Sequence, residues 1–263
     1  MAIGTSQVAA GTAALSKLNF RDLGGIPVSQ GRVLRQRCLY RSEGPASFAE
    51  AHRAELAALD IKLICDLRAD VERQAAPNDW SGAARLLNVE MTQDLRVATN
   101  SGWSALRDDP SEAGARRAMR ANYAAMPAAL QPHLPALVDA LLAGEHPVLI
   151  HCTAGKDRTG VLVGLLLAFL GTPMEEIEAD YLRSDVFAKN LRLGASIADA
   201  FEKTFGFVPS EATIDAMIGV DIDFLAAAFA AVTREWGDVE AYFHAAGIAA
   251  GAGEQLRLAL TAA

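Results

Sequence analysis

The sequence predicts a three-layer α/β domain. Three observations carry that prediction. Short apolar runs of strand length alternate with helical stretches, and a wholly apolar helix follows the last strand. The third is composition: 51% of the 263 residues are hydrophobic and 21% are charged, which suits a folded core and excludes a disordered chain. A chain of this size removes roughly 75% of its unfolded surface from water, so its core needs no disulfide or metal.

The elements follow in order. Residues 1–16 are rich in Ala, Gly, Ser and Thr and carry no charged side chain before Lys17. They lack the basic start and unbroken apolar run of an export signal and read as a flexible tail ahead of one domain over 17–263. Asn19, Asp22, Gly24, Gly25 and Pro27 supply turn chemistry before Val33-Leu34 and Cys38-Leu39-Tyr40, which read as short strands or a hairpin. Residues 46–59 form a helix, and 61–67 a buried strand ending at Asp66. A helix starting near 68 must stop before Pro77, and 86–89 is another strand. Over 94–145 Ala, Arg and Pro dominate, giving a helical insertion broken at Pro110, Pro127, Pro132 and Pro135. Residues 147–151 make a short apolar strand, and 161–170 a buried helix closed by Gly171 and Pro173. The remainder reads as helices over about 174–204, 210–218, 221–236, 238–246 and 253–262.

Charge and cysteine content exclude several function classes. The net charge is 24 − 32 = −8, so the chain is a poor general binder of polyanions, and nucleic acid is set aside as a partner. Any phosphate it binds must be held by a local site. Cys38, Cys65 and Cys152 form no even framework and no Cys-x-x-Cys, so neither a disulfide scaffold nor a structural zinc is expected. No metal or other cofactor is implied. The longest apolar run, 161–170, is too short to span a membrane, and the expected location is the cytoplasm.

The informative segment is His151-Cys152-Thr153-Ala154-Gly155-Lys156-Asp157-Arg158-Thr159-Gly160, between a strand and a helix. A loop wrapping into a helix N-terminus aims backbone N–H groups at one centre, and with the helix dipole they make an anion site over residues 153–158. Gly155 permits the tight turn. Arg158, six positions after Cys152, can hold two phosphate oxygens in its planar fork. Helix N-termini and neighbouring cations favour the thiolate of a cysteine so placed. A thiolate beneath a phosphate is a nucleophile aimed at phosphorus, with Thr159 able to donate to the sulfur when it leaves. Arg158 and the loop amides would stabilise the equatorial oxygens. The segment is not a nucleotide P-loop, because Ile150 and Asp157 stand where that pattern needs Gly and Ser/Thr.

This loop resembles the signature of bacterial cysteine-dependent protein tyrosine and lipid phosphatases, of the mycobacterial protein tyrosine phosphatase B type. Further motifs resemble the family in order: Asn19-Phe20-Arg21-Asp22, Tyr40-Arg41-Ser42, Asp66-Leu67-Arg68 with Glu72 and Pro77, Asp180-Tyr181-Leu182-Arg183-Ser184, and Ala245-Ala246-Gly247-Ile248. The resemblance implies a phosphotyrosine phosphatase-like α/β/α sandwich in which about 94–145 forms a helical lid. It implies metal-independent hydrolysis of phosphotyrosine, phosphoserine/threonine and phosphoinositides. It also implies that the general acid is Asp157. Asp94 and Asp79 are the other candidates, since no Trp-Pro-Asp occurs.

Several residues keep two readings. Lys156 is either a solvated loop charge or a contact for a second phosphate. Asp66 either orients the loop or ends a strand. His151 reads as a structural histidine behind the loop. Cys65 either remains a buried thiol or approaches Cys152 under oxidation. Arg116, Arg117 and Arg120 read as a solvated helix face, with a second phosphate grip as the alternative. At the level of function, a phosphate-binding module with slow or absent turnover is the alternative to an enzyme. An anion loop used for sulfur transfer or arsenate reduction would need a resolving cysteine near Cys152.

Overall fold

The computed structural model describes residues 14–89, 91, 106–193, 202 and 206–262. Seven strands are defined: β1 (Arg21–Asp22), β2 (Val33–Leu34), β3 (Leu39–Ser42), β4 (Leu63–Asp66), β5 (Arg85–Asn88), β6 (Val148–His151) and β7 (Thr261–Ala262). Five of them form one sheet in the order β1-β3-β6-β4-β5, parallel except for β1. β2 and β7 make a separate antiparallel pair. The helices are α1 (Glu50–Ala58), α2 (Asp70–Ala75), α3 (Glu112–Leu130), α4 (Leu134–Leu142), α5 (Asp157–Phe169) and α6 (Met174–Leu182). They continue with α7 (Asp185–Leu193), α8 (Glu211–Ile218), α9 (Ile222–Trp236), α10 (Val239–Ala245) and α11 (Ala252–Leu260).

Strand alternation divides the core in two. Tyr40, Ile64 and Leu149 face a small cluster with Leu15, Phe20, Phe48, Leu56 and Leu59. Leu39, Leu63, Cys65, Val148 and Ile150 face the larger helical side. The expected three-layer α/β arrangement is therefore present, with one thick layer and one thin. In register, Ser42 and Asp66 both lie beside His151. The carboxyl ends of β3, β4 and β6 thus meet at one edge, where parallel sheets place their sites.

Three boundaries differ from the sequence expectation. Pro127 lies inside α3 without ending it. Its missing N–H falls in the last turn, its carbonyl accepts from Tyr242 Oη at 2.8 Å, and the helix tightens into a 3₁₀ turn at Gln131–His133. The apolar helix begins at Asp157, so the last part of the signature is already helical. Residues 261–262, expected in the last helix, instead form β7 and pair with β2. The insertion is helical over α3 and α4, as expected, and its packing is that of a core layer. α3 buries Ala115, Met119, Tyr123 and Met126 and packs on α5, α8 and α9. Residues 94–105 of the expected lid lie outside the described residues, as do the tail through residue 13 and residues 194–201 and 203–204 of the expected 174–204 helix. Among the described residues, no single helix is long and apolar enough to cross a membrane.

Candidate active site

β6 ends at His151, and α5 opens at Asp157. The chain between them carries Cys152, which is fully buried. α5 is held by apolar side chains on every face, from Val161 through Leu167, so its N-terminus is a fixed platform. Gly155 takes φ +65°, and a Cβ there would overlap the Ser42 carbonyl. Only glycine meets both conditions.

Arg158 is fully buried and reaches back under the loop. Its Nη1 donates to Glu72 Oε2 at 2.6 Å and to the Leu67 carbonyl at 3.0 Å, while Nη2 donates to Glu72 Oε1 at 2.9 Å. Glu72 is itself fixed, because its Oε2 accepts the Ala69 N–H at 2.9 Å in the first turn of α2. Thr153 Oγ1 also donates to Glu72. This fork-to-fork pair sets the guanidinium plane before any ligand arrives.

Lys156 is 2% exposed and is not a solvated loop charge. Its ammonium donates to the carbonyls of Met217 at 3.0 Å and Gly219 at 2.8 Å, and it lies 3.0 Å from Asp157 Oδ1. Those carbonyls close α8, where a cation satisfies otherwise orphaned acceptors. Asp157 also accepts from Tyr123 Oη at 2.7 Å, and Tyr123 Oη lies 2.8 Å from Tyr181 Oη. Burial and then the Asp157 carboxylate push both phenols up, so they remain protonated. The Thr159 hydroxyl is fully buried and has no hydrogen-bond partner among the described residues.

Behind the loop, Asp66 holds Arg68 through three contacts of 2.7–3.1 Å and accepts from Asn78 at 2.9 Å. Burial would raise this carboxyl, but its bonds to Arg68 and the nearby His151 ring bring it below the usual carboxylate range. His151 lies 3.7 Å from Asp66 through Nε2 and 3.1 Å from the Cys152 carbonyl through Nδ1. Burial keeps it below the ordinary imidazole range, against the pull of Asp66. Asp66 therefore acts on Arg68 and His151, and Arg158 is held by Glu72.

The remaining candidates are resolved by their contacts. Asp79 is 56% exposed and pairs with Arg53 at 3.3 Å, while Asp94 lies outside the described residues. Arg116 pairs with Glu112 and Asp221, Arg117 with Asp109, and Arg120 with Asp223 at 4.0 Å. These arginines therefore tie α3 to α9 and to the turn before α3. Cys38, Cys65 and Cys152 are all free and buried, and burial followed by Asp66 pushes the Cys65 thiol far up. Sequence reasoning assigned no role to Glu72, Tyr123, Asn19, Arg41 or Asp180. The family motifs contain all of these except Tyr123, which only the fold could have found.

The sequence of residues 14–262 matches the model of the tyrosine phosphatase family. A triple specificity protein phosphatase PtpB of Mycobacterium tuberculosis is 31% identical over 259 residues, covering 88% of this chain and 91% of that protein. A Cupriavidus necator protein, provisionally named a tyrosine-protein phosphatase, is 30% identical over 234 residues, covering 85% of this chain and 79% of its own. A tyrosine-protein phosphatase of Nostoc commune is 28% identical over 158 residues, covering 59% of this chain and 51% of that protein. With a buried cysteine and a braced arginine on a loop that opens a helix, and a family match over nearly its whole length, the chain belongs to the tyrosine phosphatase family.

Proposed function

We propose that the protein hydrolyses phosphomonoesters through a cysteinyl-phosphate, with phosphotyrosine in proteins as the principal substrate. What supports this is the buried Arg158 held fork-to-fork by Glu72, on the loop that begins at Cys152. In the first step the Cys152 thiolate attacks phosphorus, an S–P bond forms and the P–O ester bond breaks. The leaving oxygen takes a proton from the Asp157 carboxyl. In the second step water attacks phosphorus, returns a proton to Asp157 and releases inorganic phosphate and the thiolate. Arg158 and the amides of residues 153–158 bear the charge on the equatorial oxygens in both steps. The Thr159 hydroxyl becomes a donor to the departing sulfur. Tyr123 and Lys156 are positioning residues that hold the Asp157 carboxyl.

Phosphoserine/threonine and phosphoinositides are the wider range suggested by the triple specificity relative. A phosphoinositide offers a second phosphate, and Lys156, the loop cation expected to meet it, is committed to two carbonyls and Asp157. Phosphotyrosine should therefore be the faster substrate. The test measures initial rates, with a chelator present, on a phosphotyrosine peptide, a phosphothreonine peptide and a phosphoinositide, with Cys152→Ser as control. Phosphotyrosine turnover that vanishes in the variant, with a phosphorylated Cys152 trapped by rapid quench, is the expected result. Absent wild-type turnover with phosphate binding retained would instead make the chain a phosphate-binding module.

A further inference from the structure

Four successive carbonyls of the anion loop are each engaged, the first by the adjoining His151 ring and the other three by donors outside the loop. The Cys152 carbonyl meets His151 Nδ1 at 3.1 Å, and the Thr153 carbonyl meets the Gly44 N–H at 2.9 Å. The Ala154 carbonyl accepts from Asn19 Nδ2 at 2.8 Å, and the Gly155 carbonyl accepts from Arg41 Nη2 at 2.8 Å. In a planar trans peptide the C=O and the next N–H point in opposite directions. Each outward carbonyl therefore aims the following amide, of residues 153–156, in the opposite direction, into the loop. That is the side where an anion would sit.

The donors are themselves held. Asn19 Oδ1 accepts from Arg21 Nη1 at 2.7 Å, and its own N–H donates to Glu43 Oε1 at 2.9 Å. Arg21 Nε and Arg41 Nη1 both donate to Asp180, each at 2.6 Å. Arg21, Arg41 and Asp180 are each no more than 7% exposed. A Cβ on Gly44 would lie 2.8 Å from the Cys152 carbonyl, so residue 44 fixes how closely β3 approaches the loop.

Buried ion pairs run through the same region. Arg158 has Glu72, Lys156 has Asp157, and Arg68 has Asp66. Arg21 and Arg41 share one carboxylate, Asp180. The buried Glu43 carboxyl, which accepts the Asn19 N–H, lies beside the same cluster. Burial, and then the like charge of Arg41, push the Arg21 guanidinium down to about 10, against the pull of Asp180.

We infer that Asn19 and Arg41, braced by Arg21 and Asp180, are positioning residues that turn the loop amides toward the bound phosphate. This rests on the phosphatase assignment for its substrate. Its physical content is anion binding, which is measured separately from turnover. It also gives the two N-terminal motifs a purpose, since neither Asn19 nor Arg41 is in the signature loop.

The test uses the full chain carrying Cys152→Ser, which removes turnover, and inorganic phosphate as the probe. Asn19→Ala and Arg41→Lys leave the charge of the cluster unchanged and remove one carbonyl donor each. Each should weaken phosphate by about tenfold or more, the scale of one lost hydrogen bond to a charged group. The sharper readout is the amide proton shift on titration with phosphate. In the parent, all four amides of residues 153–156 should move downfield. In Arg41→Lys the Lys156 amide should lose its shift while the Thr153 amide keeps it, and in Asn19→Ala the Gly155 amide should lose its own. A variant that is merely less well folded would bind phosphate normally in its folded fraction, with all four shifts intact, and that result would overturn the inference. Phosphate binding within twofold of the parent in both Asn19→Ala and Arg41→Lys would overturn it as well. Failure of wild-type turnover with these shifts still seen would remove the phosphatase assignment and leave the clamp standing.

Discussion

The two halves of the anion loop are built by different kinds of contact. Residues 152–155 are held through their carbonyl oxygens by Asn19 before β1, Arg41 in β3, the Gly44 N–H after β3 and the adjoining His151. Residues 156–158 are held through their side chains: Lys156 by the end of α8, Asp157 by Tyr123 on α3, and Arg158 by Glu72 on α2. The first half is therefore written mostly outside the loop, and the second half within it. A backbone-held segment tolerates change in its own side chains better than change in its partners, whereas a side-chain-held segment is the reverse.

The largest effects are expected where the chemistry sits. Cys152→Ser should lower turnover by about 10⁴-fold or more while phosphate binding persists. Asp157→Asn, in the side-chain-held half, should lower kcat by about 10²–10³-fold on phosphotyrosine. It should do far less on an aryl phosphate whose leaving group departs without a proton. If Asp94→Asn produces that pattern and Asp157→Asn does not, the acid is Asp94, and the second half holds Asp157 for structure alone.

Glu72→Gln comes next. It keeps the shape and one acceptor but breaks the charged fork on a fully buried guanidinium. A loss of about 10–100-fold in kcat/KM is expected, with a lower melting temperature, since removing one partner of a buried pair strands the other. An unchanged kcat/KM would show that the platform of α5 alone aims Arg158. Glu72 illustrates what the sequence conceals. Cys152, Gly155, Arg158 and Thr159 stand out in the sequence because one short segment carries them, and its strand-to-helix setting is what suggests the proposed chemistry. Glu72 stands 86 residues from Arg158 along the chain, Asn19 135 residues from Ala154, and Arg41 114 from Gly155. No spacing rule joins such pairs before the parallel register of β3, β6 and β4 does. Most of the strand-helix order was legible from apolar runs and breakers. Pro127 misled because packing of α3 outweighs the one hydrogen bond that proline removes. Lys156 misled because its acceptors belong to a helix 61 residues away.

Acid should loosen the supports behind the loop in two separate windows. His151 is held below its ordinary 6.5 by burial, so the unfolded chain takes the proton first. Its contribution to stability is full above about 6.5 and declines as pH falls through the lowered native value. Asp66 and Asp180 lie below the ordinary 3.8, with burial outweighed by Arg68 for the first and by Arg41 and Arg21 for the second. Their contribution is full above about 4 and is lost as pH falls through their native values. The melting temperature should therefore drop in two stages on acidification. His151→Asn should abolish the upper stage and Asp180→Asn should shrink the lower. An upper stage that survives His151→Asn would assign it to another group.

The smallest expected effect tests whether the halves act independently. Thr153 belongs to the carbonyl-held half, yet its hydroxyl donates to Glu72, the carboxylate that braces Arg158 in the other half. Thr153→Val keeps the shape and removes that donor, and kcat/KM should fall by no more than about tenfold, the scale of one hydrogen bond. Combined with Glu72→Gln, the loss should be smaller than the sum of the two single losses, by about 0.5–1.5 kcal/mol, because both changes remove the same contact. Strict additivity would mean that Glu72 serves Arg158 alone and that the carbonyl clamps and the side-chain braces act as two independent devices. A shortfall would make Thr153 the hinge through which the orientation of the amides and the orientation of the guanidinium are set together.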